Sequence, residues 1–534
     1  MIIIIIIIVI IGTIIGHNRS ASKNKHLLKE FLQADIQTED LSKLNDRYSF
    51  DIAGNTQRGL FTKNKNGTPK PELAKSFSRS QDGKTWVFHL RKGLKWSNGD
   101  PLTASDFVYS WRRANNPKTT SQTAYVFSGI KNADGIYSGK NKDISSLGVY
   151  APNKTTLVMK LEHPISHLKD ILTFEVTYPQ DKKFVQKQGK KYGGSSKNQV
   201  YSGPYKLVGW NGSNKNFKLR PNRAYWHKRV VKNDGVDFQV ISDPTAMLSS
   251  YRKGQLDQAD LNSPQQIRKY QNSSQLHTFK FSSAMYFLYN QPKVPALRNL
   301  KVRQALNLAT DRKSIAKNDT AGLYSPATGI TPSGLSKTPS GKDFAKSVAQ
   351  KTNYQFNMKK AKTLFKEGMA EMGKKHLTLT IEADNDASNS TISKPLLDTI
   401  QQDWGKLPGL SVKEKFVPIK QRLADQNNDN YQVIVYSWAA DYADPIGALN
   451  SIYILKNWHN DRFSADYKKA SNTYALDPKK HTAAEIDGEK VLSDQSAVDP
   501  LLWGNLKEML KPHIKGLQHF SSGTTYYYWT AKVK

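Results

Sequence analysis

The spacing of hydrophobic residues differs between the two halves of this chain, and this difference restricts the folds that the chain can adopt. Before about residue 220, segments such as WVFHLRKGLKW (86–96) alternate apolar and polar side chains, which predicts half-buried strands. From about residue 300, segments such as VRQALNLATDRKSIAK have apolar residues at helical spacing, and LTLTIEADND and YQVIVYSW then read as strands flanking a helix at 393–404. The chain is therefore predicted to combine hairpin-built mixed sheets with an α/β region.

Several local features are specific enough to predict turns and caps. Thr103 to Asp106 open a helix with a capping residue and an early carboxylate. Hairpins are predicted at 147–161, with a turn at Pro152-Asn153, and at 205–220, with a turn at Asn211-Gly212. The spacing of three tryptophans on this strand and helix predicts that they belong to a domain core: Trp86, Trp96 and Trp111.

Length and composition fit a globular protein of two or three domains. The chain has 534 residues, 38% of them hydrophobic, so its core needs no covalent cross-links. It contains no Cys, which excludes disulfides, Cys-ligated metals, thiol nucleophiles and a lipid-modified cysteine anchor.

The first 22 residues are predicted to direct export. The apolar run from Ile2 to Gly16 is shorter than the roughly 20 residues of a spanning helix and fits the hydrophobic part of a signal peptide. Ser20-Ala21-Ser22 offers a cleavage site after Ser22, although no basic stretch precedes the run. Cleavage and retention as an uncleaved anchor both remain open.

The chain is strongly basic, with a formal net charge of +34. Clustered Lys and Arg would favour a nucleic-acid partner, but here they are dispersed and no nucleic-acid-binding motif accompanies them. The charge instead predicts general attraction to the anionic polymers and headgroups of a cell envelope.

No catalytic or cofactor motif is present. HExxH, GxSxG and GxGxxG are all absent, and the Gly-Lys pair in GLSKTPSGKDF (334–344) is not a phosphate-binding loop. His163 and His167 have the spacing of two metal ligands, but Pro164 lies between them and no third ligand is near in sequence. No enzyme, cofactor or metal site is therefore predicted.

The segment YSWAADYADP (436–445) places two carboxylates, Asp441 and Asp444, among aromatic residues directly after an apparently buried strand. Paired carboxylates serve as catalysts in glycosidases. Two Asp residues in one turn are also common as structural caps. The residues by themselves leave a functional role and a capping role open.

A long stretch, ELAKSFSRSQDGKTWVFHLRKGLKWSNGDPLTASDFVYSWRRA (72–114), closely resembles the extracellular solute-binding proteins of peptide ABC importers. The likeness continues in order through YSGPYKLVGW, RAYWHKR, YRKGQLDQA, NLKVRQALNLATDRKSI and SWAADYADPIGALN (437–450). It implies two α/β lobes of the periplasmic-binding-protein (Venus flytrap) type, with an extra domain inserted in the first lobe. The implied ranges are 23–61, 185–280 and 503–534 for the first lobe, 62–184 for the extra domain and 281–502 for the second lobe.

The resemblance also implies a binding site. Asp441 matches the Asp that binds the α-ammonium of the peptide in oligopeptide-binding relatives. The neighbouring residues expected to line the site are Tyr436, Trp438, Ala439 and Tyr442, and Tyr286 is expected on a crossing strand beside the cleft. The resemblance also places Tyr526 to Trp529, which alternate as a strand would, back in the first lobe.

Three functions remain open at this stage. The first is capture of oligopeptides for the membrane permease of an ABC importer, on the outer face of the cytoplasmic membrane and as a monomer. The second is the same fold with another ligand, such as a dipeptide, metal chelate, haem or oligosaccharide. The third is a basic surface adhesin or signal-peptide receptor. The family's usual lipid-modified Cys is absent, so the N-terminal segment or the basic charge would have to retain the protein at the surface.

Overall fold

The computed structural model describes residues 26–385 and 387–534. The predicted signal peptide or anchor at 1–22 lies outside the described residues. Within them, every helix is too short or too polar to cross a bilayer.

The first sheet joins the start of the chain to residues 205–240. Leu27–Leu32 pairs in parallel with Gly235–Val240, and the remaining pairs are antiparallel, in the order Leu27–Leu32, Gly235–Val240, Asn216–Pro221 and Tyr205–Val208. Asn211 and Gly212 lie in the connection of the predicted hairpin. The helices of this region are Arg47–Thr56, Pro244–Arg252 and Pro264–Tyr270.

Residues 61–200 form a separate core around a second, antiparallel sheet. Its strands follow the order Ala74–Arg79, Thr85–Leu90, Thr156–Lys160 and Val149–Asn153, beside a small pair, Phe61–Lys63 and Pro69–Pro71. The helices are Ala104–Asn115, Ala133–Tyr137, Leu168–Ile171 and Lys182–Gln188. Thr103 is the predicted cap of the first of these helices, and its amide donates a hydrogen bond to the Asp106 carboxylate. The three predicted core tryptophans are buried.

One predicted turn in this region is shifted by two residues. The strand continues through Pro152 and Asn153, and the chain turns at Lys154 and Thr155. The side chain of Asn153 accepts hydrogen bonds from the Thr155 amide and hydroxyl, and these bonds close the shifted turn. A register shift between Tyr150 and Asn153 accommodates the proline.

The largest sheet has seven strands and contains the two longest strands of the described chain. Its order is Gln258–Asp260, Val498–Leu510, Leu276–Tyr289, Val433–Ala439, Leu377–Asp384 and Leu410–Val417, with Tyr324–Pro326 beside Val498–Leu510. Leu501 packs in a core of this region, whereas Leu506 and Met509 pack in cores nearer the first sheet. The predicted lobe boundaries at 280 and 502 therefore fall inside these two long strands, and the domain division stays a prediction.

Helices cover both faces of the largest sheet. They are Leu300–Ala309, Arg312–Ser314, Phe344–Ala349, Met358–Glu371, Ala387–Trp404, Ile419–Asn427, Ile446–Tyr453, Asp461–Lys468 and Pro478–Asp494. The strand Val433–Ala439 is the central strand of this sheet, and its side chains alternate between the cores on the two faces. Val433 and Val435 enter one core and Ile434 enters the other. The helix predicted at 393–404 begins earlier, at Ala387.

Short strands complete the C-terminal region: Ile514–Lys515, Gln518–His519, Tyr526–Tyr527 and Lys532–Val533. The predicted alternation at 526–529 stops after Tyr527, and Tyr528–Thr530 forms a single 3₁₀ turn. All four aromatic residues, from Tyr526 to Trp529, are buried in the core around the first sheet.

Candidate ligand-binding site

The central strand Val433–Ala439 becomes more exposed toward its C-terminal end. Its first residues, Val433 to Val435, are buried on both faces, whereas Tyr436 and Trp438 are half-buried and Ser437 and Ala439 are exposed. The strand Leu276–Tyr289 pairs with it throughout, but Leu377–Asp384 pairs only with Val433 and Ile434. The end of the strand thus emerges from the core with one backbone edge unpaired by any described strand.

This strand end forms one wall of a cavity of about 960 Å³. The opposite wall comes from the region predicted as the extra domain and includes Tyr125, His163, His167 and Ile171. Five of the six predicted site residues line the cavity: Tyr436, Trp438, Ala439, Asp441 and Tyr442. The fold therefore brings two separate cores together around Asp441.

Asp441 lies half-buried at the meeting point of the two walls. Its Oδ2 accepts a 2.6 Å hydrogen bond from the hydroxyl of Tyr125. Burial raises the pKa of Asp441, and the Tyr125 hydrogen bond opposes that rise. Among the described residues, no Lys or Arg forms an ion pair with this carboxylate. The site therefore presents a partly desolvated carboxyl group without a cationic partner from the described residues.

Aromatic rings surround the carboxylate. The ring of Tyr442 stacks on the imidazole of His167, with centroids 4.6 Å apart and planes 8° apart. Gly447 allows the following helix to approach, because a Cβ there would lie 3.2 Å from Trp438 and 3.6 Å from the Tyr442 hydroxyl. Flat apolar walls beside a carboxylate suit a ligand with one cationic group and an organic body.

Tyr286 does not line the cavity, contrary to the expectation from the sequence. It is the register partner of Tyr436, so both rings lie on the same face of the sheet, with centroids 5.0 Å apart. Tyr286 is only 1% exposed, and its hydroxyl is 2.8 Å from that of Ser451. Tyr436 and the helix Ile446–Tyr453 cover it, so Tyr286 supports the wall from behind.

Asp444 has different surroundings from Asp441. Its Oδ1 accepts a hydrogen bond from the Ile446 amide at the start of a helix, as a cap does. Its Oδ2 lies 3.5 Å from His481 Nε2. Burial alone would raise the pKa of Asp444, but His167 and His481 lower it below its usual range. Asp444 therefore has the cap-like contact that the sequence left open, whereas Asp441 faces the cavity.

Several cavity residues had no signal in the sequence. Tyr125 lies 316 residues before Asp441, and Asn450, Tyr467 and Lys468 come from helices whose local pattern predicts only packing. His163 and His167 were considered only as a pair of metal ligands. Both line the cavity, and His167 acts there as a stacking surface.

A second cavity of about 760 Å³ lies between the first sheet and the two long strands. Its lining includes Arg47, Phe281, Tyr324 and Asn505. None of the predicted site residues contributes to it.

Comparison with known proteins gives one consistent family. Residues 68–460 match the profile of the bacterial extracellular solute-binding proteins, family 5 Middle. A dipeptide-binding protein of Lactococcus lactis is 37% identical over 97% of this chain and 96% of its own length. The oligopeptide-binding protein OppA of Bacillus subtilis is 28% identical over 96% of this chain and 94% of its own.

Solved structures agree with the sequence relatives. Listeria monocytogenes OppA bound to peptide has a TM-score of 0.76 and 29% identity, covering 96% of this chain and 99% of its own. The substrate-binding domain of an oligopeptide ABC transporter from Bacillus anthracis also has a TM-score of 0.76, at 30% identity, covering 96% and 99%. The expected two-lobe α/β fold is confirmed, and the chain belongs to the bacterial extracellular solute-binding proteins of family 5.

Proposed function

We propose that this protein captures peptides by their free N-terminus at Asp441 and delivers them to the permease of an ABC importer. The observation that carries the proposal is the half-buried Asp441 carboxylate, which has no cationic partner among the described residues and lies in an aromatic cavity between two cores. The names of the similar proteins, which include dipeptide- and oligopeptide-binding receptors, support a peptide as the ligand.

The energetics favour an ammonium group at this position. Transfer of a charge out of water costs several kcal/mol, so a buried ammonium needs a carboxylate and further acceptors close by. A charge-assisted hydrogen bond is roughly twice as strong as a neutral one. The aromatic rings Trp438 and Tyr442 offer additional favourable surfaces to a cation and to the first side chain.

The rest of the peptide backbone has a matching surface. The edge of Val435–Ala439 that faces away from Leu276–Tyr289 is unpaired by any strand in the described ranges, so an extended peptide can add beside it. Each main-chain hydrogen bond contributes about 1 kcal/mol net and is independent of the side chains. Recognition through the backbone and one terminus gives affinity with weak sequence selectivity.

Ligand binding in this fold is proposed to favour a closed arrangement of the lobes. In the described chain the Tyr125–Asp441 hydrogen bond already joins the two walls of the cavity. A peptide ammonium that contacts Asp441 while its body contacts the Tyr125 wall binds the closed arrangement better than an open one. Its differential affinity then shifts the population toward the closed arrangement.

The remaining expectations on cellular context are part of the same proposal. The family is extracellular by its description. We expect the protein on the outer face of the cytoplasmic membrane, as a monomer, with the N-terminal segment, or the net charge of +33 that remains once Arg19 is removed with it, retaining the protein at the surface. Release from cells by 1 M salt, where the Debye length is about 3 Å, would indicate retention by charge.

The test is a calorimetric titration of the purified protein with peptides of two to twelve residues, each with a free and an N-acetylated terminus. Free peptides are expected to bind, and acetylation is expected to abolish binding because it removes the charge. A preference for two residues over longer peptides would align this chain with dipeptide receptors. Equal binding of free and acetylated peptides would refute recognition at Asp441, and binding of anionic wall polymer alone would favour the adhesin function.

A further inference from the structure

A cluster of three potential metal ligands lies beside the proposed peptide site. Asp444 belongs to the turn after the central strand, while His481 and Glu485 occupy one face of the helix Pro478–Asp494. His481 Nε2 is 3.5 Å from Asp444 Oδ2 and 3.2 Å from Glu485 Oε1. One ligand atom from each residue lies within 4.8 Å of the other two.

The two separations from His481 Nε2 match neighbouring ligands of one metal ion better than direct charge-assisted hydrogen bonds. Tetrahedral zinc with bonds of about 2.0–2.2 Å holds neighbouring ligand atoms about 3.3–3.6 Å apart. A charge-assisted N–H···O bond is shorter, at about 2.7–2.9 Å. The distances of 3.2 and 3.5 Å are therefore those of neighbouring ligands of one ion, and the ligand atoms of Asp444 and Glu485 lie within 4.8 Å of each other.

The orientation of His481 is the second, independent observation. Its Nδ1 lies 2.9 Å from the carbonyl oxygen of Ala470, which can only accept a hydrogen bond, so Nδ1 carries a hydrogen and Nε2 faces the carboxylates. Metal-bound histidines are commonly oriented by such a bond from the other ring nitrogen.

Two of the three residues that face the centre of the cluster, His481 and Glu485, are buried. His481 is 7% exposed and Glu485 is 2% exposed. His481 Nε2 and Glu485 Oε1 have no hydrogen-bond partner within the part of the chain that the structure describes. Two ionised carboxylates around a nitrogen, of which that of Glu485 is buried, favour a positive charge at the centre, because uncompensated buried charge is costly. Either a proton on Nε2 or a metal ion supplies it.

We propose that Asp444, His481 and Glu485 form a binding site for a divalent transition-metal ion of the zinc type. One imidazole and two carboxylates are a typical nitrogen and oxygen ligand set for such ions, whereas Ca²⁺ and Mg²⁺ prefer oxygen ligands alone. Asp444 is partly exposed, so the ion has a route to the site. Bound metal ties the turn that carries Asp441 to the helix Pro478–Asp494. This site is separate from the peptide function and does not depend on it.

The test compares zinc binding to the purified protein and to a His481→Arg variant, after removal of metal with a chelator. Equilibrium dialysis with elemental analysis is expected to give about one zinc ion per chain for the wild type, with a saturable rise in Tm. Arginine keeps a positive charge between the two carboxylates but cannot ligate zinc, so the variant should fold and lose both effects. His459→Ala is the matched control, because His459 forms an exposed pair with Asp461 at 2.9 Å and should leave zinc binding unchanged.

The possible outcomes separate the metal from a buried ion pair. Zinc binding that is equal in wild type and His481→Arg, or absent from both, would overturn the proposal and identify His481 as a protonated partner of the two carboxylates. If His481→Arg does not fold, Glu485→Gln serves in its place and is expected to weaken zinc binding at least tenfold. Replacement of zinc by Co²⁺ should give the visible absorption of a tetrahedral cobalt site in the wild type, which ions on surface side chains do not produce.

Discussion

Asp441 and Asp444 stand three residues apart on one turn, yet the regions around them differ. Asp441 faces the cavity, accepts one hydrogen bond from Tyr125 and has a raised pKa because of burial. Asp444 faces the helices Ile446–Tyr453 and Pro478–Asp494, accepts a bond from the Ile446 amide and has a lowered pKa because His167 and His481 outweigh burial. The same residue type thus has two different surroundings: Asp441 has no cationic partner among the described residues, whereas Asp444 holds the start of a helix and lies beside His481.

The largest expected effect comes from removal of the ligand-facing carboxylate. Asp441→Asn should weaken binding of a free peptide about 30- to 1000-fold, because loss of one partner of a buried charge pair costs about 2–4 kcal/mol. Calorimetry measures the affinity, and the unfolding midpoint should change little. Asp444→Asn is the matched comparison on the same turn and should bind within about threefold of wild type. Similar losses of affinity in both variants would contradict the proposed difference between the two aspartates.

Removal of the structural carboxylate should instead reduce stability. Asp444→Ala deletes the bond to the Ile446 amide and leaves His481 with Glu485 alone, so we expect a loss of about 2–4 kcal/mol in the free energy of unfolding. Urea denaturation of metal-free protein measures the loss. Asp441→Ala should cost less than 1 kcal/mol, since no described ion pair holds that carboxylate, and a larger loss there would contradict the comparison.

The pH dependence of peptide binding gives a further test of the role of Asp441. Because the pKa of Asp441 is raised, its charge and the peptide affinity should fall on acidification above pH 3.8, the ordinary value. Above about pH 8 the affinity should fall again, because the peptide α-amino group has a pKa of about 7.7–8.0. Tyr125→Phe removes a bond that stabilises the carboxylate, so its acidic limb should move to higher pH. An affinity that stays constant from pH 7 to pH 4 would exclude Asp441 as the titrating group.

The smallest effect is expected for Tyr286, which lies behind the cavity wall. Tyr286→Phe removes the contact between its hydroxyl and that of Ser451, which should cost about 1 kcal/mol of unfolding free energy and leave peptide affinity unchanged. Denaturation and calorimetry on the same preparation measure both. A tenfold loss of affinity would show that Tyr286 contacts the ligand after all.

Sequence reasoning succeeded where the signal is local. The alternation from residue 86 and the cap at Thr103 depend on neighbours within a few residues, and both elements form, although the strand predicted at 86–96 ends at Leu90. The buried start of the central strand and the position of Asp441 beyond its end also follow from a continuous pattern. The functional reading of Asp441 came from the family resemblance, because the turn alone could equally have been a cap.

Sequence reasoning failed where a contact joins distant parts of the chain. Nothing near Tyr125 indicates that its hydroxyl reaches a carboxylate 316 residues later. Tyr286 was assigned to the cleft because its strand crosses beside it, but register with Tyr436 places it beneath another ring. The cluster of Asp444, His481 and Glu485 was likewise invisible, since 37 residues separate Asp444 from His481.

The sequence by itself determined the absence of thiol chemistry, the strong positive charge, the local elements and the aspartates that follow a buried strand. Each of these is a property of composition or of neighbours along the chain. Only the tertiary structure decided that Asp441 meets Tyr125 and that Asp444 meets His481. The packing of separate cores selects these partners, and the energy of a carboxylate depends on its burial and on the charges that packing brings near it.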